Sequence, residues 1–375
     1  MVLLSLLFLL PIVLADCVDL NDPNTFGSKI NQWSPTRFEV RYNTTLCPGT
    51  YVLTGGLVVS NLFVTLDCDD ATLIGDGSGV GIYVGRGASM AYSYQPHITV
   101  KNCNILNYNS GIVVDLAYYN TIENNSIIGS AANGMTLTAV KYNTIRNNRV
   151  ISGSYNGLTL ERSTNGWRTE QNEISGNVIE GFAKKGIELN QVDNNTFTGN
   201  TIRNNSEYGI YSFNSNGNLI YNNLFENANN AYNVNSNNAW NMQETAGANI
   251  LGGGYLGGNS WSDYAGADAD NDGIGDTPYA IGSSSDSLPL AASRCPNAVI
   301  CPDGQCANTM NDCPASQNAS QQNQTLPWQN IMPGNGITVI AGNSSQNNTL
   351  VQVNPLGFNL LEWLVTFLKS LFGMR

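Results

Sequence analysis

The chain has 375 residues, enough for one long domain with appendages, and carries 16 basic against 28 acidic side chains, a net charge of −12. That balance excludes nucleic acid as the principal partner and suits divalent cations or a polar glycan. Eight cysteines, an even number, fit an oxidising compartment.

Residues 1–15 are nearly all apolar and end in Val13-Leu14-Ala15, the small-residue pattern that precedes a signal-peptidase cut, although no basic residue stands near Met1. They are read as a secretory signal, with a core strand or an uncleaved anchor as the alternative. Residues 16–51, bracketed by Cys17 and Cys47, form an N-terminal cap segment.

Residues 52–250 repeat. NTIENN from Asn120, NTIRNN from Asn143, NEISGN from Asn172, NTFTGN from Asn195 and NLIYNN from Asn218 are spaced 23, 29, 23 and 23 residues apart. A second marker, Gly111-Ile112, Gly134-Met135, Gly157-Leu158, Gly186-Ile187 and Gly209-Ile210, keeps the same rhythm with spacings of 23, 23, 29 and 23. One unit therefore carries a six-residue insertion. A shared period marks units that bury their apolar side only by stacking on neighbours. Runs such as Gly157-Leu158-Thr159-Leu160-Glu161 alternate at strand period, and helical spacing is absent. Asn and Gly separate the runs, as sharp left-handed corners require. Twenty-three residues are too few for a four-stranded propeller blade and lack the Leu pattern of a horseshoe repeat, so each unit is a coil of three short strands. Asn125, Asn148 and Asn223, at equivalent corners, are placed to bond to one another and to the next coil.

Val64–Cys68 and Ile98–Cys103 are similar strands that become neighbours if residues 85–96 loop outward. Coils stack about 4.8 Å apart, inside the Cα window of a disulfide between Cys68 and Cys103.

Over residues 52–281 the chain resembles the right-handed parallel β-helix repeat family of pectate lyases, alginate epimerases and NosD-like surface proteins. The best-matched piece is Gly258-Asn259-Ser260-Trp261-Ser262-Asp263-Tyr264, followed by the acidic string Asp268 to Tyr279. The resemblance implies an all-β fold, a right-handed single-stranded parallel β-helix with capped ends, in which residues 251–290 close the C-terminal end. It does not choose an activity, because this fold serves lyases, epimerases, adhesins and scaffolds alike.

In the acidic string Asp268, Asp270, Asp272 and Asp276 fall at loop positions 1, 3, 5 and 9, with Gly273 at position 6 and the Ile274 carbonyl at position 7. This is the oxygen-ligand order of a calcium loop, with Tyr279 where an EF-hand has glutamate and Asp263 as a possible further ligand. Structural calcium is the expected cofactor, and a solvated acidic turn is the alternative. Trp261, bulky among glycines, is read as a lid over the core.

His97 is the only histidine, so neither a histidine triad nor a multi-histidine metal centre can form, and the copper role attached to the NosD name finds no ligand set. For acid–base chemistry the coil positions offer Asp115, Glu161, Glu188, Lys185 and Tyr211, with Lys184 and Arg162 close in sequence. Scattered carboxylates on an exposed sheet are more often a solvated face. For sugar binding without chemistry, Tyr118, Tyr155, Trp167 and Tyr211 stand out, together with Tyr92, Tyr94, Tyr119 and Tyr142. Tyrosine is also a good strand former.

Cys295, Cys301, Cys306 and Cys313 make residues 291–313 a disulfide knot rather than a zinc site, since no histidine is near. Residues 314–355 carry no charge and four Asn-x-Ser/Thr sequons, and they read as a disordered stalk. Residues 356–375 form an amphipathic helix with a narrow polar stripe, too short and too charged for a span and suited to a membrane interface or a docking partner. The combined expectation is a secreted, non-enzymatic surface protein that binds a polysaccharide or a surface protein, or serves as an envelope component. A polysaccharide lyase or uronate epimerase is the alternative.

Overall fold

The computed structural model describes residues 17–85, 96–269 and 272–291, with the backbone of 299–300 and 306–307. The expected signal, stalk and C-terminal helix lie outside these residues, as do Cys295, Cys301, Cys313 and the side chain of Cys306. Residues 1–315 form one compact unit and 316–375 a second, which lies wholly outside the described residues.

The first unit is an all-β parallel solenoid of the right-handed type, with about eight turns. Three sheets run its length. The first contains Thr121–Glu123 and Thr144–Arg146, the second Ser126–Ser130 and Arg149–Gly153, and the third Met135–Thr138 and Leu158–Glu161. Register is strict between coils: Ile122 pairs with Val100 and Ile145, Ile127 with Ile105 and Val150, and Leu137 with Val114 and Leu160. Each position therefore forms an apolar column, and these interior side chains are at most 1% exposed. Burying one Ile or Leu contributes roughly 2 kcal/mol, and the strands are short because each needs only one or two inward residues per face.

The two sequence markers have different physical causes. The repeat glycines do not adopt a left-handed backbone; they permit close approach. A Cβ on Gly157 would lie 2.2 Å from Ile179 Cγ2 and 2.7 Å from the Gly186 carbonyl, and one on Gly134 would lie 2.2 Å from Val150 Cγ1. The left-handed corners belong to residues such as Asn124 and Asn147, with φ of 55° and 54°.

The asparagines that follow those corners turn inward and stack. Asn125 Nδ2 donates to Asn148 Oδ1 (3.0 Å), Asn148 to Asn177 (3.0 Å), Asn177 to Asn200 (2.9 Å), Asn200 to Asn223 (2.9 Å) and Asn223 to Asn259 (2.9 Å). A parallel ladder runs through Asn120, Asn143, Asn172, Asn195, Asn218 and Asn238. Most of these amides also reach the backbone of the coil before, as when Asn177 Nδ2 donates to the Ile145 carbonyl at 2.8 Å. The buried corner backbone is thereby satisfied without water.

Cys68 and Cys103 are bridged across adjacent coils with Cα atoms 4.8 Å apart, and Cys17 is bridged to Cys47 at 4.9 Å. The strands carrying these cysteines pair in register, Asp67 with Lys101; residues 86–95 lie outside the described set. The six-residue insertion is a turn between third and first sheet, closed by Ser163 N donating to the Trp167 carbonyl at 2.9 Å.

Parallel pairing begins at Arg37–Val40 and Thr44–Thr45, inside the N-terminal cap segment, and ends at Ser260–Trp261, inside the C-terminal one. At the start, the antiparallel hairpin Ile30–Ser34/Arg37–Val40 covers the third sheet, with Phe26 and Phe38 buried edge to face. At the end Trp261 completes the inward column of the second sheet, stacked on Phe225 at 4.6 Å and on Tyr279 at 4.5 Å. Both ends of the apolar interior are closed, as a solenoid requires.

Candidate functional site

The third sheet presents the broadest outward face, because its strands are the longest. On it, Glu188 pairs in register with Tyr211, Tyr211 with Tyr232, and Lys185 with Tyr208. Strand alternation puts Glu188, Tyr211 and Tyr232 outside while Ile187, Leu189 and Ile210 face the core; Lys185 and Tyr208, on the far side of the repeat glycines where alternation breaks, reach the same face through their contacts with Glu188 and with Tyr211 and Tyr232. Lys185 Nζ contacts Glu188 Oε1 at 2.7 Å and sits 4.4 Å from the Tyr211 ring centroid. Asn156 Nδ2 fixes the other carboxylate oxygen of Glu188 at 2.8 Å. Tyr208, Tyr211 and Tyr232 form a triangle with ring centroids 5.2 to 5.7 Å apart, and Tyr232 is 44% exposed. The result is an aromatic platform edged by an ordered cation and carboxylate, a surface chemistry suited to polar rings.

Asp115 and Glu161 occupy another outward column of this sheet, through Thr138 between them. Asp115 lies three coils from Glu188, about 14 Å at the usual strand spacing. It accepts from the Tyr83 hydroxyl at 3.0 Å, and burial raises its carboxyl above the ordinary range. Glu161 accepts from Thr138 Oγ1 at 3.0 Å. Lys184 leaves the face for Glu207 at 2.5 Å, and Arg162 holds the Gly166 carbonyl at 3.0 Å. Of the acid–base candidates, then, Lys185, Glu188 and Tyr211 meet, and Asp115 does not join them.

The aromatic candidates are dispersed. Tyr155 is 47% exposed at the corner between second and third sheets, while Tyr118 and Trp167 lie at the corner between third and first. Tyr92 and Tyr94 lie outside the described residues. Tyr208, Tyr232, Asn156 and Tyr83 were not singled out from the sequence; reading across the register at Lys185 and Glu188 would have found Tyr208 and Tyr232, whereas Asn156 and Tyr83 are not register partners of any candidate.

In the acidic loop Asp268 accepts from the backbone of Asp272 (3.2 Å) and Gly273 (3.0 Å), Asp272 from Ile274 N (2.7 Å), and Asp276 from Ala269 N (2.7 Å). Asp270 lies outside the described residues. Asp263 is turned to Asn230 Nδ2 (2.7 Å) and the Tyr279 hydroxyl (2.9 Å). Among the described residues no three His, Cys, Asp or Glu side chains converge as a metal cluster. The loop is stitched to the solenoid end through Ile274 paired with Leu290 and Leu290 N donating to the Asn259 carbonyl at 2.9 Å.

Beneath it lies Asp286, which is fully buried. Its Oδ2 accepts from Asn259 N (2.7 Å) and Trp261 Nε1 (2.9 Å), and its Oδ1 from Leu288 N (3.1 Å). Burial pushes its carboxyl up to about 6, against those hydrogen bonds. Gly258 makes the seat possible, since a Cβ there would lie 1.8 Å from Asp286 Oδ1.

Among solved structures, the A-module of mannuronan C-5 epimerase AlgE4 from Azotobacter vinelandii is 16% identical, with a TM-score of 0.38, over 51% of this chain and 63% of that one. The chain thus spans less than two thirds of that module. A periplasmic alginate epimerase, AlgG, is 16% identical with a TM-score of 0.33, over 58% of this chain and 71% of its own. The Dettilon tailspike protein is 14% identical with a TM-score of 0.34, over 52% and 56%. None of these likenesses bears on what this chain does. No curated protein matches the sequence.

The family model described as periplasmic copper-binding protein (NosD) matches residues 67–182 and 167–266. The described residues do not fit copper. The one imidazole, His97, is stacked between Phe63 and Tyr119 at 5.1 Å from each, the four described cysteines are spent in disulfides, and Met135 is buried in the core. The matched segments together run from residue 67 to 266, more than half of the 375 residues, and the chain belongs to the NosD family.

Proposed function

We propose that this protein is an extracytoplasmic, non-enzymatic solenoid that binds a polysaccharide along the outer face of its third sheet. The observation that carries this reading is the Tyr208/Tyr211/Tyr232 platform beside the ordered Lys185–Glu188 pair. Its rings cover a polar face with little entropy to lose, and the cation and carboxylate set orientation. The two disulfides support an oxidising, extracytoplasmic location. Display at a cell surface, through the stalk and C-terminal helix, is part of the proposal.

The test is a glycan panel followed by calorimetry. Tyr211→Ala is expected to weaken binding of the best oligosaccharide about tenfold, the scale of one lost stacking contact, with the melting temperature little changed. Undiminished binding by the variant would refute the assignment of this face. A lyase or epimerase is the second reading, favoured by the raised carboxyl of Asp115 against Tyr83. It requires unsaturated chain ends or epimerised residues after incubation with uronate polymers.

The acidic loop belongs to the same proposal as a structural calcium site that holds the cap. Carboxylates packed into nine residues repel one another unless a cation sits among them. Chelation is expected to lower the melting temperature by several degrees, and Asp270→Ala to remove most of that dependence. A melting curve indifferent to both chelator and substitution retires the cation.

A further inference from the structure

A second aromatic feature lies at the corner between the third and first sheets. Phe63, His97, Tyr119 and Tyr142 occupy the same corner position in four successive coils, each in left-handed backbone with φ from 49° to 59°. Their rings stack with centroids 5.1, 5.1 and 4.8 Å apart and planes within 11° of parallel. The spacing is that of the coils themselves, so one ring per turn builds a continuous column. A left-handed backbone is costly for a bulky side chain, so at these corners the stack must repay the strain.

The column has a foot. Phe63 touches His97 on one side, and among the described residues its other face has no ring against it. That face opens into a groove of about 620 Å³ between the column and the N-terminal hairpin, lined by Phe63, Leu62, Tyr42, Asn61, Arg41 and Lys29 among others. Phe63, Tyr42 and Leu62 are 69%, 57% and 50% exposed, three of the four most exposed large apolar side chains among the described residues, gathered in one groove. Arg41 is held by Glu39 through Nε alone, at 2.9 Å, and among the described residues its terminal amino groups have no partner. On a protein of net charge −12, this groove sets an aromatic face beside the Arg41 guanidinium, whose terminal amino groups are the donors an acid group would meet.

We propose that this groove is a separate binding site for an anionic sugar, a pyranose ring carrying a carboxylate or a sulfate. The ring stacks on the free face of Phe63 with Tyr42 at its side, the acid group meets the guanidinium of Arg41, and Asn61 lies within the same groove for hydroxyl contacts. The proposal rests on the polysaccharide-binding reading for its substrate class, but it concerns residues remote in sequence from the Tyr211 platform and separable from it.

His97, being the only histidine, gives two ring-proton resonances that report on the column without ambiguity. The full chain is titrated with trigalacturonate, with a sulfated carrageenan oligosaccharide and with neutral cellotriose, by calorimetry and by following those resonances. One or both anionic probes are expected to bind and to shift the His97 signals, and the tighter of the two identifies the acid group. Phe63→Ala, at an exposed position, should weaken that binding at least tenfold. Arg41→Gln should weaken it about tenfold while leaving any cellotriose binding unchanged. Anionic binding that survives Phe63→Ala, leaves His97 still and is lost in Tyr211→Ala overturns the groove and keeps the third-sheet face. Binding lost in Phe63→Ala and untouched by Tyr211→Ala supports the groove and removes that face. Equal affinity for cellotriose and the anionic probes, or no binding by any of the three, overturns the proposal.

Discussion

Replacing Asp286 with alanine is expected to destabilise the folded solenoid by about 4 kcal/mol, because two buried donors and one half-buried donor lose their acceptor at once. Those donors are Asn259 N, Trp261 Nε1 and Leu288 N, and all three converge on one carboxylate at the end of the asparagine ladder that runs from Asn125 to Asn259. Each amide from Asn125 to Asn223 donates one bond forward to the Oδ1 of the next coil and one back to a carbonyl of the coil before, so the chain of polarised amides ends at Asn259, whose backbone N meets Asp286. Asparagine at 286 keeps an acceptor and removes the charge, so it separates the two roles. The folded carboxyl, raised to about 6 from an ordinary 3.8, holds a proton that the unfolded chain has already lost between those values. Its contribution to stability is therefore full below about pH 4 and disappears as the pH rises through 6, a change of about 3 kcal/mol. Urea unfolding from pH 4 to pH 8 should show wild type gaining on Asp286→Asn by that amount toward acid. Parallel profiles for the two proteins would show that the carboxyl is not perturbed, and an innocuous alanine would show that the cap does not depend on it.

The second large effect is expected in the middle of the ladder. Asn177 is buried and accepts from Asn148 N and Nδ2 at 2.9 and 3.0 Å while donating to the Ile145 carbonyl, the Ser175 carbonyl and Asn200 Oδ1. Alanine deletes all five contacts and leaves backbone groups of two coils unsatisfied in a dry interior. The expected cost is about 4 kcal/mol, with faster amide exchange in the coils on either side. Asn229→Ala, which removes a single exposed contact to the Glu207 carbonyl, is the control and should cost under about 1 kcal/mol. Equal costs for the two variants would mean that the ladder is decoration.

Much of this architecture was legible because a solenoid writes its fold into local spacing. The markers Asn120, Asn143, Asn172, Asn195 and Asn218 recur at the coil period since each coil must present the same amide to the next, and one insertion does not disturb the pattern. The Cys68–Cys103 bridge followed from the same logic, as residues one coil apart are always within disulfide reach. Trp261 was readable as a lid because a large ring beside glycines has little other use at the end of an apolar column.

The site was less legible. Tyr211 and Glu188 were named in one dispersed set of acid–base candidates, Tyr211 also for sugar binding, and only register brings the two together with Lys185 and adds Tyr208 and Tyr232. The column from Phe63 to Tyr142 escaped notice because only Tyr119 and Tyr142 precede the repeated Asn-Thr-Ile marker, while Phe63 and His97 reach the same corner, two residues before a strand, without it. Gly258 and Asp286 are likewise 28 positions apart, and nothing local links a glycine to the carboxylate that fills its missing side chain.

By itself, then, the sequence determined the period, the inward columns, the corner amides and the Cys68–Cys103 disulfide, all of which depend on contacts between chemically equivalent residues one coil apart. Tertiary structure alone decided which outward side chains share a face, where a ring column ends in a groove, and which buried acid terminates a ladder. These depend on pairs that are not equivalent, and periodicity carries no information about them.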